Sequence, residues 1–139
     1  MRITLESDYA LRILTIMARY DDIRDAKTIS GDTSVTLRFT LKILNKLVGG
    51  NLVESFKGVH GGYKLKKDPD KINLKEVIEL IDGPIAIARC VDLGENCSLN
   101  CDKTSCVYHH IFDTISADLA AKLSGITISD VINKNYTLK

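Results

Sequence analysis

The chain has 139 residues, 19 Lys and Arg against 18 Asp and Glu, a formal net charge of +1 and 45% hydrophobic residues. That length suits one compact domain, or a small domain with a dimerisation element. No apolar run approaches the roughly 18 residues of a membrane span, and the opening Met1-Arg2-Ile3-Thr4-Leu5-Glu6 is polar rather than a cleavable signal, so a cytoplasmic protein without a membrane partner is expected.

The first element is an amphipathic helix over residues 7–20, with Ala10, Ile13, Leu14, Met17 and Ala18 on one side and Asp8, Arg12, Thr15 and Arg19 on the other. A short helix at residues 26–30 is expected next, then a turn at Gly31-Asp32-Thr33. The following helix spans about 34–48. Its leucine spacing predicts a core face of Leu37, Leu41, Leu44 and Val48, leaving Thr36, Arg38, Thr40 and Lys42 near its start to face outward. Gly49-Gly50 supplies the stop.

Two helices joined by a tight turn, the second carrying Thr, Arg and Lys in its first turns, fit a helix-turn-helix whose second helix enters a major groove. The next segment reads as a two-stranded ribbon. Leu52–Phe56 and Gly62–Lys66 flank a tip containing Gly58, Gly61 and Gly62, with Lys57, His60 and Lys64 around it. Glycine permits positive φ and close approach of backbone to another surface, so Gly61 joins Lys57, His60 and Lys64 as a candidate phosphate contact. Residues 33–67 hold seven basic side chains against one acid, Glu54, a local charge of +6 within a nearly neutral chain. Such a segment suits a polyanion, here double-stranded DNA.

Asn73 and Glu76 have capping-box spacing, Ile72 and Val77 occupy the staple positions, and Gly83-Pro84 ends that helix. All four cysteines then fall within 17 residues, at Cys90, Cys97, Cys101 and Cys106, and none precedes them. Scattered thiols are ordinary core residues; four gathered in one polar stretch imply a shared ligand, a metal or an iron-sulfur cluster. A reducing cytoplasm disfavours disulfides. A helix of about 20 residues, 104–124, comes next, carrying Tyr108, Ile111, Phe112, Ile115, Leu119 and Leu123; its length of about 30 Å exceeds what a small domain needs to cover itself and suggests a dimerisation helix. Thr127 and Asp130 open a last short helix.

The expected fold is therefore mainly α with a small β wing. It comprises a winged helix-turn-helix domain at residues 1–84, a cysteine-rich cluster-binding loop at 85–106, and a dimerisation helix with a short C-terminal helix at 104–139. The opening Met1–Leu5 with Ser7–Arg12, the wing Gly58–Tyr63, the helix end Ile81–Pro84, the cysteine loop and the closing Thr127–Val131, in that order, resemble the Rrf2 family of bacterial transcription regulators. The resemblance spans nearly the whole chain. It implies a homodimeric DNA-binding regulator, often a repressor, whose operator affinity follows an iron-sulfur cluster sensing redox state, nitric oxide or iron-sulfur status.

Carried onto this chain, the resemblance makes Cys90 and Cys106 the outer cluster ligands and leaves the middle one open between Cys97 and Cys101. Cluster-binding members usually have five to seven residues between the first two cysteines and about five between the last two, whereas this chain reads Cys-x6-Cys-x3-Cys-x4-Cys. In members of the IscR type a fourth ligand is a histidine three residues after the last cysteine, which is His109 here. In members of the NsrR type it is an acid on the first helix of the other subunit, which is Asp8. Asp8 can equally pair with Arg12 at i, i+4.

Either a 2Fe-2S or a 4Fe-4S cluster is compatible with these residues. Zinc is the alternative cofactor, although structural zinc sites favour paired Cys-x2-Cys knuckles, which are absent here. A thiol redox protein or electron carrier without DNA binding is a weaker reading. No Cys-x-x-Cys redox motif, glycine-rich phosphate loop or nucleophile elbow occurs, so no enzyme is expected.

Overall fold

A computed structural model describes residues 2–92, 97 and 102–138. Helix α1, Leu5–Arg19, starts at an N-cap, Thr4, whose side chain accepts the Ser7 amide at 3.3 Å. Glu6 and Asp8 lie in the first turn and Arg19 in the last, each the sign that the helix dipole favours. Its buried stripe is Ser7, Ala10, Ile13, Leu14 and Met17, much as the periodicity predicts.

Helix α2, Ala26–Thr33, is capped by Asp25, which accepts the Thr28 amide at 2.7 Å. The turn expected at Gly31-Asp32-Thr33 is helical instead. Thr33 is buried and its hydroxyl donates to the Ile29 carbonyl at 2.7 Å, which carries the helix on until Ser34 turns left-handed at φ 56°.

Helix α3, Leu37–Gly49, begins three residues later than expected because Thr36 is its cap, accepting the Phe39 amide at 3.4 Å. Its buried face is Thr40, Ile43, Leu44 and Leu47; Leu37 and Leu41 are 44% and 39% exposed. Against the expected leucine face the helix is rotated roughly a quarter turn. Two apolar stripes compete on this helix. The stripe at i, i+3, i+4, i+7 from Thr40 meets α1, leaving the outer leucines to the surface.

Strands β1, Val53–Phe56, and β2, Gly62–Leu65, pair antiparallel in the register Val53 to Leu65 and Phe56 to Gly62. Arg24 adds a third backbone rung, its amide donating to Tyr63 O at 3.0 Å and its carbonyl accepting the Tyr63 amide at 2.8 Å. A 3-10 turn, Pro69–Lys71, leads to α4, Leu74–Asp82. Asn73 caps α4 by accepting the Glu76 amide at 2.9 Å, while the Glu76 carboxylate binds Lys67 at 2.7 Å rather than closing the expected box.

Helix α5, Val107–Ser124, starts later than expected because Asp102 engages the Thr104 amide and hydroxyl, an Asx turn that competes with helix. Cys106 is its N-cap and makes no side-chain cap bond. Helix α6, Ile128–Asn133, has the full capping box between Thr127 and Asp130. It packs on α1 rather than on α5, with the Ile128 amide donating to Ile72 O at 2.9 Å and Ile128 completely buried.

One cluster forms the core. Ala10, Ile13, Leu14 and Met17 of α1 meet Ile29, Ile43, Leu44, Leu47, Leu52, Val53, Ile72, Val77 and Ile128. The α3 assignment is checked by urea unfolding: Leu44→Ala should cost about 2–5 kcal/mol, as a cavity in a closed core does, while Leu41→Ala should stay within about 1 kcal/mol.

A candidate nucleic-acid interface and a cysteine arm

The outward face of α3 carries Arg38, Leu41, Lys42 and Asn45, all exposed, with Leu37 and the half-covered Phe39 at its start. Asn45 is not marked by the sequence, because the misphased leucine stripe assigns it to no defined face. Thr36 is exposed, and its hydroxyl serves the helix cap. Thr40 does not belong to this surface: it is fully buried, with its hydroxyl 3.4 Å from Val35 O. The ring of Phe39 meets Tyr9 edge-on at 5.9 Å, and Arg12 lies over Tyr9 at 5.6 Å, joining the outer surfaces of α1 and α3.

Beside α3 stands the wing. At its tip Lys57 and His60 are exposed and Val59 is 98% exposed. The tip depends on two glycines. A Cβ on Gly61 would stand 2.2 Å from Phe56 O, and one on Gly62, at φ 155°, would stand 2.4 Å from Arg24 O. Gly61 therefore has a structural duty, closing the tip with its amide on Gly58 O at 3.0 Å. Lys64 lies on the strand opposite Glu54 and reaches Asp21 at 3.1 Å instead of the tip.

The cations are less available than the sequence suggests. Lys42 and Lys46 both bind the Glu6 carboxylate, Lys46 at 2.6 Å, and Lys67 binds Glu76. Hydrogen bonds from Lys42 first, then Lys46, hold Glu6 below the ordinary glutamate range. Arg38 and Lys57 have no ion-pair partner among the described residues.

The cysteine arm leaves α4 at Gly83, φ 90°. Just before it, Asp82 accepts the Thr4 amide at 3.1 Å and the Thr4 hydroxyl, joining the end of α4 to the start of α1. Burial pushes the Asp82 carboxyl up, but the Thr4 hydrogen bonds outweigh it and hold the group below its usual range. Ile85 is buried, and the Ile87 amide donates at 3.0 Å to the hydroxyl of Ser116, the buried residue of α5. That hydroxyl donates in turn to Phe112 O at 2.7 Å.

Cys90, Cys97 and Cys106 are each half-buried, and Cys101 lies outside the described residues. Among the described residues no three His, Cys, Asp or Glu side chains converge on a common metal position. The donor chemistry nevertheless fits a thiolate-bound centre. His109, one turn beyond Cys106, has a buried Nδ1 with no hydrogen-bond partner, an orphaned nitrogen of the kind a ligand would satisfy. Asp8, on α1, pairs with Arg12 at 2.6 Å. The helix α5 leaves Val107, Tyr108, Ile111 and Ile115 exposed, Tyr108 by 71%.

Known proteins are similar to this chain in sequence and in fold. Residues 3–134 match a family profile described as "Rrf2: Iron-dependent Transcriptional regulator". An HTH-type transcriptional regulator of Aquifex aeolicus is 30% identical over 90% of this chain and 87% of its own. The HTH-type transcriptional regulator NsrR of Bacillus subtilis is 28% identical over 100% and 96%. The solved structure of CymR, the global cysteine regulator of B. subtilis, superposes with a TM-score of 0.77 at 20% identity, covering 96% of this chain and 98% of that one.

The wing offers a direct check. Gly62→Ala should break the Arg24–Tyr63 rung, so hydrogen exchange at the Tyr63 amide should rise at least about tenfold while protection at Leu44 is retained, as expected when a local unit opens without the core.

Proposed function

The chain belongs to the Rrf2 family of transcriptional regulators, and we propose that it is a cytoplasmic, homodimeric repressor that reads double-stranded operator DNA through α3 and the wing, with an iron-sulfur cluster on the cysteine arm setting its affinity. The observation that carries the DNA reading is the exposed α3 face of Arg38, Leu41, Lys42 and Asn45 beside the glycine-tipped wing. Arg is suited to bidentate contact with guanine, Asn to adenine, and an apolar side chain to the thymine methyl. Lys57 and His60 at the wing tip suit phosphate.

Cys90 and Cys106, with Cys97 or Cys101 between them, would hold the cluster, and the orphaned Nδ1 of His109 is the favoured further donor. The cluster supplies a centre reactive toward oxidants and nitric oxide. The chain's own residues carry the rest. Cys90 lies three residues beyond Ile87, whose amide is fixed to Ser116 on α5, so a shift of Cys90 is passed to the middle of that helix. The exposed stripe of Tyr108, Ile111 and Ile115 supports pairing of α5 with its copy in a second chain. Movement of α5 would then change the spacing of two α3 helices, which half-sites about one helical turn apart tolerate poorly.

Protein purified without oxygen should be brown, with iron and acid-labile sulfide in similar amounts; a colourless protein with one zinc per chain would overturn the cluster reading. Cys90→Ala and Cys106→Ala should each abolish the visible spectrum, and Cys97→Ala and Cys101→Ala should differ from one another.

Duplex binding should weaken steeply with salt. Arg38→Ala should narrow the gap between operator and random duplex by about 1–3 kcal/mol, whereas Lys57→Ala should weaken both alike and flatten the salt slope by about 1. Equal effects on that gap at matched salt would show that α3 is not the reading surface.

A further inference from the structure

On the proposed reading helix itself, one carboxylate serves two lysines. Glu6, in the first turn of α1, sends one carboxylate oxygen to Lys42 and the other to Lys46, 2.6 Å away. Lys42 and Lys46 stand at i, i+4 on α3, so one carboxylate spans two cations that one DNA strand could otherwise take up with neighbouring phosphates. A carboxylate with two oxygens, each receiving an ammonium, presents the same ligand set to these lysines as a phosphodiester does.

We infer that Glu6 is a specificity-determining residue that acts as a built-in phosphate competitor: it retains Lys42 and Lys46 when the protein meets random duplex and yields them only when base contacts hold α3 deep in an operator groove. This rests on the DNA reading proposed above.

The competition follows from the geometry. The three side chains are partly exposed, Lys42 by 52%, Lys46 by 37% and Glu6 by 26%, and exposed ion pairs are individually weak. The lysines are thus exchangeable rather than locked. Exchange requires a phosphate to approach while the Glu6 charge remains nearby, and that repulsion is offset only where other contacts fix the helix against the duplex. Sequence-independent binding is carried almost entirely by phosphate neutralisation, so withholding two lysines weakens random binding selectively. Arg38 and Lys57, which carry no ion pair among the described residues, remain for the first encounter.

The position of Glu6 is also well determined. Thr4, two residues earlier, caps α1 and is held by Asp82 at the end of α4, so the competitor sits on a turn pinned from both sides of the sequence.

The experiment compares the full-length parent with Glu6→Gln and Glu6→Asp on two probes, a random-sequence duplex and the operator recovered by selection from a random pool, across a salt series. Glu6→Gln keeps the side-chain volume and removes the charge. It should steepen the random-duplex slope of log affinity against log salt by about 2, raise random affinity at least about tenfold at low salt, and leave the operator slope nearly unchanged, so the ratio of the two affinities falls. Glu6→Asp retains the charge but is one methylene too short to span both lysines, and should give about half the change in slope; it also serves if Glu6→Gln folds poorly.

An unchanged random-duplex slope in both variants would overturn the inference, as would equal strengthening or weakening of both probes, the result of a purely structural pair. A parent protein with no salt-dependent duplex binding would overturn the DNA reading itself, and this inference with it, and is recognisable before any variant is measured.

Discussion

The apolar stripe of α1 is the constraint from which the other elements take their places. Ala10, Ile13, Leu14 and Met17 are buried on one side of that helix, and α2, α3, α4, α6 and β2 all lean on it. Since α3 must bury Ile43, Leu44 and Leu47 against this stripe, its opposite face is dictated: Arg38, Leu41, Lys42 and Asn45 have nowhere to go but outward. The proposed reading surface is in this sense the complement of the core, and its residues are selected by packing before any nucleic acid is considered.

Charge is organised differently from hydrophobicity. A basic segment at residues 33–67 looks like a continuous positive surface when read along the chain, yet acids distant in sequence stand against several of its cations: Glu6 takes Lys42 and Lys46, Asp21 takes Lys64, and Glu76 takes Lys67. Of the cations of this segment that have no ion pair among the described residues, Arg38 sits on the helix and Lys57 at the wing tip, while Lys66 reaches the Asn51 side chain at 3.2 Å. A modest net charge can therefore coexist with a local field at the corner of the molecule formed by α3 and the wing.

Much of this was legible in the residues alone. The α1 stripe, the glycine-tipped ribbon, the caps at Asn73 and Thr127 and the exposed apolar side of α5 all follow from local patterns that tertiary contacts do not override. The failures have a common physical origin. On α3 two apolar stripes compete, and the choice between them is made by α1, which is remote in sequence; this misphased Leu37, Leu41 and Thr40 and hid Asn45. The α2 boundary turned on a single side-chain bond from Thr33 to Ile29, against which Gly31 gave a misleading turn signal. Ion pairs such as Glu6 with Lys42 join residues 36 apart in sequence, and no periodicity announces them. Of the cysteine site, the donor types were plain from their clustering, whereas the orphaned His109 Nδ1 could be recognised only once its surroundings were known.

The placement of α6 changes how the cysteine arm should be regarded mechanically. Because Ile128 is buried in the same cluster as Ile13 and Leu44, and Thr127 is bridged to Asn73, the chain is fastened to the core both before the cysteine arm, at Val77 of α4, and after it, at Ile128. A chain segment fastened at both ends has already surrendered part of its freedom, and closing a ring of ligands within it carries a smaller entropic penalty than doing so in an unattached tail. The same double fastening means that residues 1–84 lack Ile126 and Ile128, two of the side chains that complete their own interior. Head and cysteine arm are consequently not beads on a string: the arm is spliced into the head, and the head remains unfinished until the arm has been passed.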